Sequence, residues 1–243
     1  MDKREINEQR FELVVKHNFL IRNVRYSLSE LEQKIIIYMI SKIDKEDTEI
    51  QAINLRLKDY CEIAGIEYTS GSISHLKKTI KTLSDKSWWV DKKLFRWIDT
   101  ADVNDGETVK IILSQSLKPY ILQLKENFTK YELIEVLGLR GKYTIRLYEL
   151  LRSYLWLGKW VVKVSELRDL IQCDKYNAFK EFNRNILKYS IDEINNYSSL
   201  EVSYKTIKKG RKIETIEFTI EEKIGYQMSI YMLINRDKRL NKG

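Results

Sequence analysis

Histidine is nearly missing from this chain: His17 and His75 are the two examples. A DNA-nicking enzyme with a paired-histidine metal site and an activated tyrosine therefore lacks its histidine pair, although fifteen tyrosines are present. Cysteine is equally scarce. Cys61 and Cys173 make neither a four-ligand zinc site nor a disulfide framework, and reduced thiols are expected. The nine glycines are scattered, so no glycine-rich loop is available to cradle a phosphate. Neither Gly-x-x-x-x-Gly-Lys-Ser/Thr nor His-Glu-x-x-His occurs. No metal, cofactor or catalytic residue is expected. Proline occurs once, at Pro119, and no Ser/Gly-rich linker exists, so two domains would have to be joined tightly. Long apolar runs are absent too. The uncharged stretch Gly225 to Asn235 is far shorter than the about 20 residues a bilayer span needs. The opening MDKREINEQR is charged where a signal peptide would be apolar. These absences predict a cytoplasmic, non-enzymatic protein with no membrane partner.

What is present is basic charge and a repeating order of elements. The 243 residues carry a formal charge of +8 and are 43% hydrophobic, enough for a real core and for one large or two smaller domains. From Ser29 to Ile43 apolar residues fall at helical spacing, and Ser29 with Glu32 reads as a capping box. A short alternating strand, Ile53 to Leu57, runs into a helix ended by Gly65. A second helix, Ser72 to Ser84, precedes the strand-like pieces SWWVDKKLFRWID and TVKIILS, joined by the polar turn Asp102 to Glu107. The order then recurs. A long helix spans Tyr143 to Trp156, and Val162-x-Val164 leads into a helix. A further helix is expected from Tyr176 to Tyr197, and a hairpin turning at Gly210 closes the unit. Shifted by 107 residues, Leu55, Leu57, Tyr60, Ile63 and Ile66 fall on Val162, Val164, Leu167, Leu170 and Cys173. The expectation is an α+β chain of two tandem winged-helix domains related by internal duplication. Residues 1–127 form the first, residues 128–223 the second, and residues 224–243 a basic tail.

The charge is concentrated in the second unit. Between Lys175 and Lys212 there are nine basic and four acidic residues. At 100° per residue Asn177, Lys180, Arg184 and Lys188 form a stripe opposite Phe179, Phe182 and Ile186, with Tyr176 and Asn183 beside it. Exposed Asn and Arg suit base edges, and Lys suits phosphates. The hairpin adds Lys205, Lys208, Lys209, Arg211 and Lys212, whose charges repel one another unless an anion lies between them. The first unit offers a weaker set, Ser74, His75, Lys77, Lys78 and Lys81, where a solvated helix face is as good a reading as DNA contact. Trp88, Trp89, Phe95 and Trp97 crowd one short hairpin. They are expected to divide between core and an interface with a second copy.

Four stretches carry a family resemblance: VVKHNFLIRNVRYSLSELEQKIIIYMIS, KYTIRLYELLRSY, FKEFNRNILKYSIDEINNYSSLEVSY and IKKGRKIETIEFTI. Together they resemble the iteron-binding plasmid replication initiators of theta-type origins, the RepA/RepB-like proteins, over roughly residues 5 to 222. The resemblance implies that the second domain is the main reader of direct repeats in double-stranded origin DNA. It implies that the first domain makes auxiliary DNA contact and dimerises. It further implies repression of the protein's own promoter by dimers, initiation by monomers, and recruitment of a host initiator and helicase. Asn183 and Asn185 depart from the family pattern, which often has arginines there. A winged-helix transcriptional regulator without a replication role is the alternative.

Overall fold

The computed structural model describes residues 2–104 and 106–226. A helix, α1 (Lys3–Arg10), opens the chain, followed by β1 (Leu13–His17), α2 (Asn18–Arg22) and β2 (Arg25–Tyr26). The first winged unit then runs α3 (Glu30–Ser41), β3 (Ile53–Arg56), α4 (Leu57–Ala64) and α5 (Ser70–Ser84). Strands β4 (Ser87–Val90), β5 (Lys93–Arg96), β6 (Ile98–Asp102) and β7 (Thr108–Leu113) follow, and α6 (Lys118–Ile121) ends it. The expected capping box holds the start of α3: the Glu32 backbone N–H donates to Ser29 Oγ, and the Ser29 N–H donates to Glu32 Oε2 at 2.7 Å. Gly65 ends α4 at φ 70°, a left-handed conformation that a side chain would strain.

The second unit repeats this plan. It consists of β8 (Phe128–Glu132), α7 (Leu133–Gly138), α8 (Lys142–Tyr154), β9 (Lys159–Lys163) and α9 (Val164–Leu170). A longer helical rod comes next, α10 (Phe179–Phe182), a π-turn (Asn183–Lys188) and α11 (Tyr189–Tyr197), and then the hairpin β10 (Leu200–Lys209) and β11 (Lys212–Glu222). In both units the strand before the second helix pairs antiparallel with the last hairpin strand, giving sheets β3-β7-β6 and β9-β11-β10. Leu55 lies opposite Val109 in one, and Val162 opposite Ile216 in the other. The aligned positions Leu55 and Val162 thus have the same job, which is to seat the wing on the helical layer.

The first unit has an insertion. SWWVDKKLFRWID is not one strand but the β4–β5 hairpin plus the start of β6, and β4 pairs with β2 through Arg25–Trp89 and Tyr26–Trp88. This hairpin corrects the reading of its aromatics. Trp88 is 0% exposed and Trp97 1%. Trp88 stacks on Phe95 at 4.5 Å and its Nε1 donates to the Arg96 carbonyl, while Tyr26 meets Trp97 edge-on at 5.0 Å. Trp88 and Trp97 are therefore core side chains and not surface for a partner. Trp89 and Phe95 are half-buried, and beside them Leu94 is 68% exposed.

The two units are interlocked. Strand β1 pairs with β8, Val15 opposite Lys130, across the junction at residue 127. The short helices then cross over: α2 packs on α8, and α7 packs on α3. A polar seam lies beneath. Lys16 Nζ donates to Glu149 Oε1 at 2.5 Å, and Tyr131 Oη to the same oxygen at 2.5 Å; both charged side chains are almost wholly buried. Burial alone would raise the Glu149 carboxyl, but Lys16 and Arg146 hold it below its ordinary value. Arg146 Nη2 donates to the Val24 carbonyl at 2.9 Å, and Gln33 Nε2 to the Lys142 carbonyl at 2.9 Å.

Candidate nucleic-acid interface

The expected recognition helix begins three residues later than its apolar spacing suggests. Ala178 is the residue before it, extended at φ −77° and ψ 135°, and Phe179 is the first helical position. Tyr176 and Asn177 thus belong to the turn that enters the helix; Tyr176 is half-buried and Asn177 exposed. The remaining stripe is as expected in placement: Lys180, Arg184 and Lys188 are exposed, while Phe182, Ile186 and Leu187 face the core. Arg184 Nε donates to the Asn185 side chain at 3.3 Å, a contact that leaves the rest of its guanidinium in solvent. Asn183 differs. Its Oδ1 accepts from Tyr204 Oη at 2.8 Å, so it ties the helix to β10 before it offers anything outward.

The wing divides into two sets of cations. Lys205 and Lys159 share Glu217 at 3.0 and 2.9 Å, and Lys209 approaches Glu214 at 3.7 Å. Glu217 carries a carboxyl held below its ordinary value by hydrogen bonds from Lys159 and Lys205. By contrast Lys208, Arg211 and Lys212 have no ion pair among the described residues. A register shift between Ile207 and Lys208 re-aims the strand just before the tip, and Gly210 turns it at φ 62° with open space around it. The three unpaired cations then border, with Lys180, an open groove of about 750 Å³ between the helix start and the wing. One further cation lines it, Arg168 on α9, and no carboxylate does. Sequence reasoning missed Arg168, because α9 was read only for its apolar positions.

In the first unit α5 occupies the place of the recognition helix. Ser74, His75, Lys78 and Lys81 are exposed and Lys77 is half-buried. Ser74, Lys77, Lys78 and Lys81 line one shallow groove, whereas His75 faces a separate cavity of about 650 Å³ with Glu30, Lys34 and Arg140. The first wing is the reverse of the second in charge. Its turn reads Asp102-Val-Asn-Asp-Gly-Glu107, and Asp102 and Glu107 are exposed. Tyr68 Oη donates to Glu107 at 3.4 Å. Among the described residues no helix is long and apolar enough to cross a membrane.

Fold and groove together define a tandem winged-helix protein whose second unit presents a cationic helix-and-wing face. Two family models match it: Initiator Replication protein, WH1, over residues 13–152, and Initiator Rep protein, WH2, over residues 163–220. The chain belongs to this family of replication initiators. The first model runs past residue 127 into α8, the helix on which α2 packs, and ends at residue 152. A replication initiation protein of Escherichia coli is 25% identical over 213 residues, covering 81% of this chain and 66% of its own length. An uncharacterized 27.6 kDa protein of Escherichia coli is 22% identical over 222 residues, 83% of this chain and 93% of that one. The crystal structure of Pi initiator protein in complex with iteron DNA superposes with a TM-score of 0.73 at 20% identity. That match covers 87% of this chain and 97% of the other, and at such identity the likeness is one of fold.

Proposed function

We propose that this chain is a plasmid replication initiator that binds direct repeats in double-stranded origin DNA through its second winged unit and acts as a binding protein, not an enzyme. The observation that carries the reading is the groove of the second unit, bordered by five cations and no carboxylate at the start of an exposed basic helix. A helix of this kind fits the major groove and a wing lies along the backbone. The iteron complex of the Pi initiator, a neighbour in fold, supports repeats as the target. In division of labour, Arg184 with Asn177 reads base edges, and Lys180, Lys188 and the wing cations hold phosphates. The first unit adds contact through Ser74, Lys77, Lys78 and Lys81.

The same reading extends to regulation. We take residues 1–127 and 128–223 as the two units, with the tail from residue 224 as a non-specific arm, most of it outside the described residues. A dimer formed through the first unit, with Trp89 and Phe95 as its remaining candidates, would present two readers to an inverted repeat at the gene's promoter. Monomers would occupy direct repeats and recruit a host initiator and helicase. The test is binding of the full chain, at several salt concentrations, to duplexes selected from a random pool. Enrichment of one repeated half-site is expected. Equal affinity for all duplexes at every salt would sink the initiator reading.

A further inference from the structure

Arg168 is out of place as a structural residue. It lies on α9, off the recognition helix, and its guanidinium is stacked 4.6 Å above the ring of Phe182, a side chain that is itself 0% exposed. Its Nε is buried without a hydrogen-bond partner. Among the described residues the guanidinium makes neither an ion pair nor a hydrogen bond. The acid next to it in sequence, Asp169, is engaged by Arg25 at 2.6 Å. A cation this poorly satisfied is costly unless an anion completes it. The groove it lines supplies the setting: Lys180 on one side, Lys208, Arg211 and Lys212 on the other, and no acidic side chain.

We infer that Arg168 is the floor of a built phosphodiester site, in which one DNA backbone strand passes between the recognition helix and the wing. The inference rests on the DNA-binding reading above and adds a residue and a ligand position to it. Three features distinguish Arg168 from the surface lysines around it. Its place over the Phe182 ring holds the guanidinium, so less side-chain freedom is lost on binding. A planar fork can grip two oxygens of one phosphate, which an ammonium cannot. The inner edge of its guanidinium, at Nε, is already out of water, whereas the wing lysines are exposed. A phosphate is favoured over a base because Arg168 comes from the helix that crosses the backbone in this motif, not from the one that enters the groove.

The test is a coupling between one side chain and one phosphate. The full chain, as wild type, Arg168→Gln and Arg168→Lys, is titrated with a selected cognate duplex and with copies carrying a single neutral methylphosphonate at successive positions. One position should weaken wild type about tenfold and leave Arg168→Gln unchanged, since the contact is already gone. Arg168→Gln should also lower the salt slope by about 0.9 on cognate and random duplex alike. Arg168→Lys, which keeps the charge and serves if the Gln variant fails to fold, should retain the slope and only part of the coupling, since an ammonium still meets the phosphate but cannot grip two of its oxygens. Losses that match at every position in wild type and variants would overturn the inference. It would also fall if millimolar inorganic phosphate alone stabilised wild type as much as duplex does, and only when Arg168 is present. A wild type that binds random duplex with no preference would sink the repeat-reading claim separately, because the slope test on random DNA still reports on Arg168.

Discussion

The second unit ends its hairpin in Lys208, Lys209, Gly210, Arg211 and Lys212, while the first ends the matching hairpin in Asp102, Asn104, Gly106 and Glu107. The strands beneath are arranged alike, with sheet orders β9-β11-β10 and β3-β7-β6. The helices in the recognition position, α5 and α10, both expose lysines. Thus the duplicated scaffold is kept and the wing charge is inverted. A phosphate backbone attracts the first kind of tip and repels the second. Topology alone therefore does not assign a DNA contact: the two wings share one chain path and carry opposite charge. On the proposed reading the second unit has a complete helix-and-wing grip and the first at most a helix contact.

The comparison depends on the seam that fixes the units against each other, and breaking that seam has the largest expected effect. Glu149→Gln leaves Lys16 buried without its charge partner, and removing one partner of such a pair costs about 3–5 kcal/mol. Because the folded Glu149 carboxyl is held below its ordinary value, its contribution is present above the unfolded carboxylate range. It is lost as pH falls through the folded value. Thermal melts should show wild type losing stability on acidification and the Gln variant losing less. An isolated 128–223 fragment would carry Glu149 without Lys16 and β8 without β1. It should melt well below the full chain. A fragment as stable as its parent would show that the seam holds nothing, and the two units could then be compared as separate domains.

Next in size is the division between reading and holding in the second unit. Arg184→Ala should weaken the cognate repeat by about 1–3 kcal/mol and random duplex far less. The pair Lys208→Ala with Lys212→Ala should weaken both duplexes alike and lower the salt slope by about 0.9 for each lost contact. Lys205→Ala and Lys209→Ala should do less, as those cations are already occupied by Glu217 and Glu214. Selective loss of the repeat in the wing variants, with Arg184→Ala silent, would exchange the roles of helix and hairpin.

Much of this was legible in the sequence because it was written in local patterns. The α3 capping box, the Gly65 stop, the Gly210 turn and the matched apolar positions of β3 and β9 depend on neighbours a few residues away. The rest depends on partners far along the chain. Nothing local in LVVKH says that it pairs with FTKYE 115 residues on, and the exchange of α2 and α7 was missed for that reason. Trp88 and Trp97 looked too large for one hairpin to hide because Tyr26 and Tyr120, which enclose them, come from distant segments. The cationic stripe was visible as composition. Arg168 was not, since its meaning comes from Phe182 beneath it and the wing across the groove.

The smallest effect concerns the first wing and bears most directly on its proposed role. If that hairpin stands clear of DNA, Asp102→Asn with Glu107→Gln removes only a distant repulsion. Screening limits such a term to about 8 Å at physiological ionic strength. Affinity for the repeat should then rise less than about threefold at low salt and not at all near 0.15 M, with the salt slope unchanged, because no phosphate contact is gained. Lys77→Ala with Lys81→Ala on α5 should lower the slope in the same assay, since those side chains are proposed to hold phosphates. A large gain from neutralising the wing, with a steeper slope, would place it against the backbone after all. The inverted charge would then be a brake on binding by the first unit, and not a sign that its wing lies off the DNA.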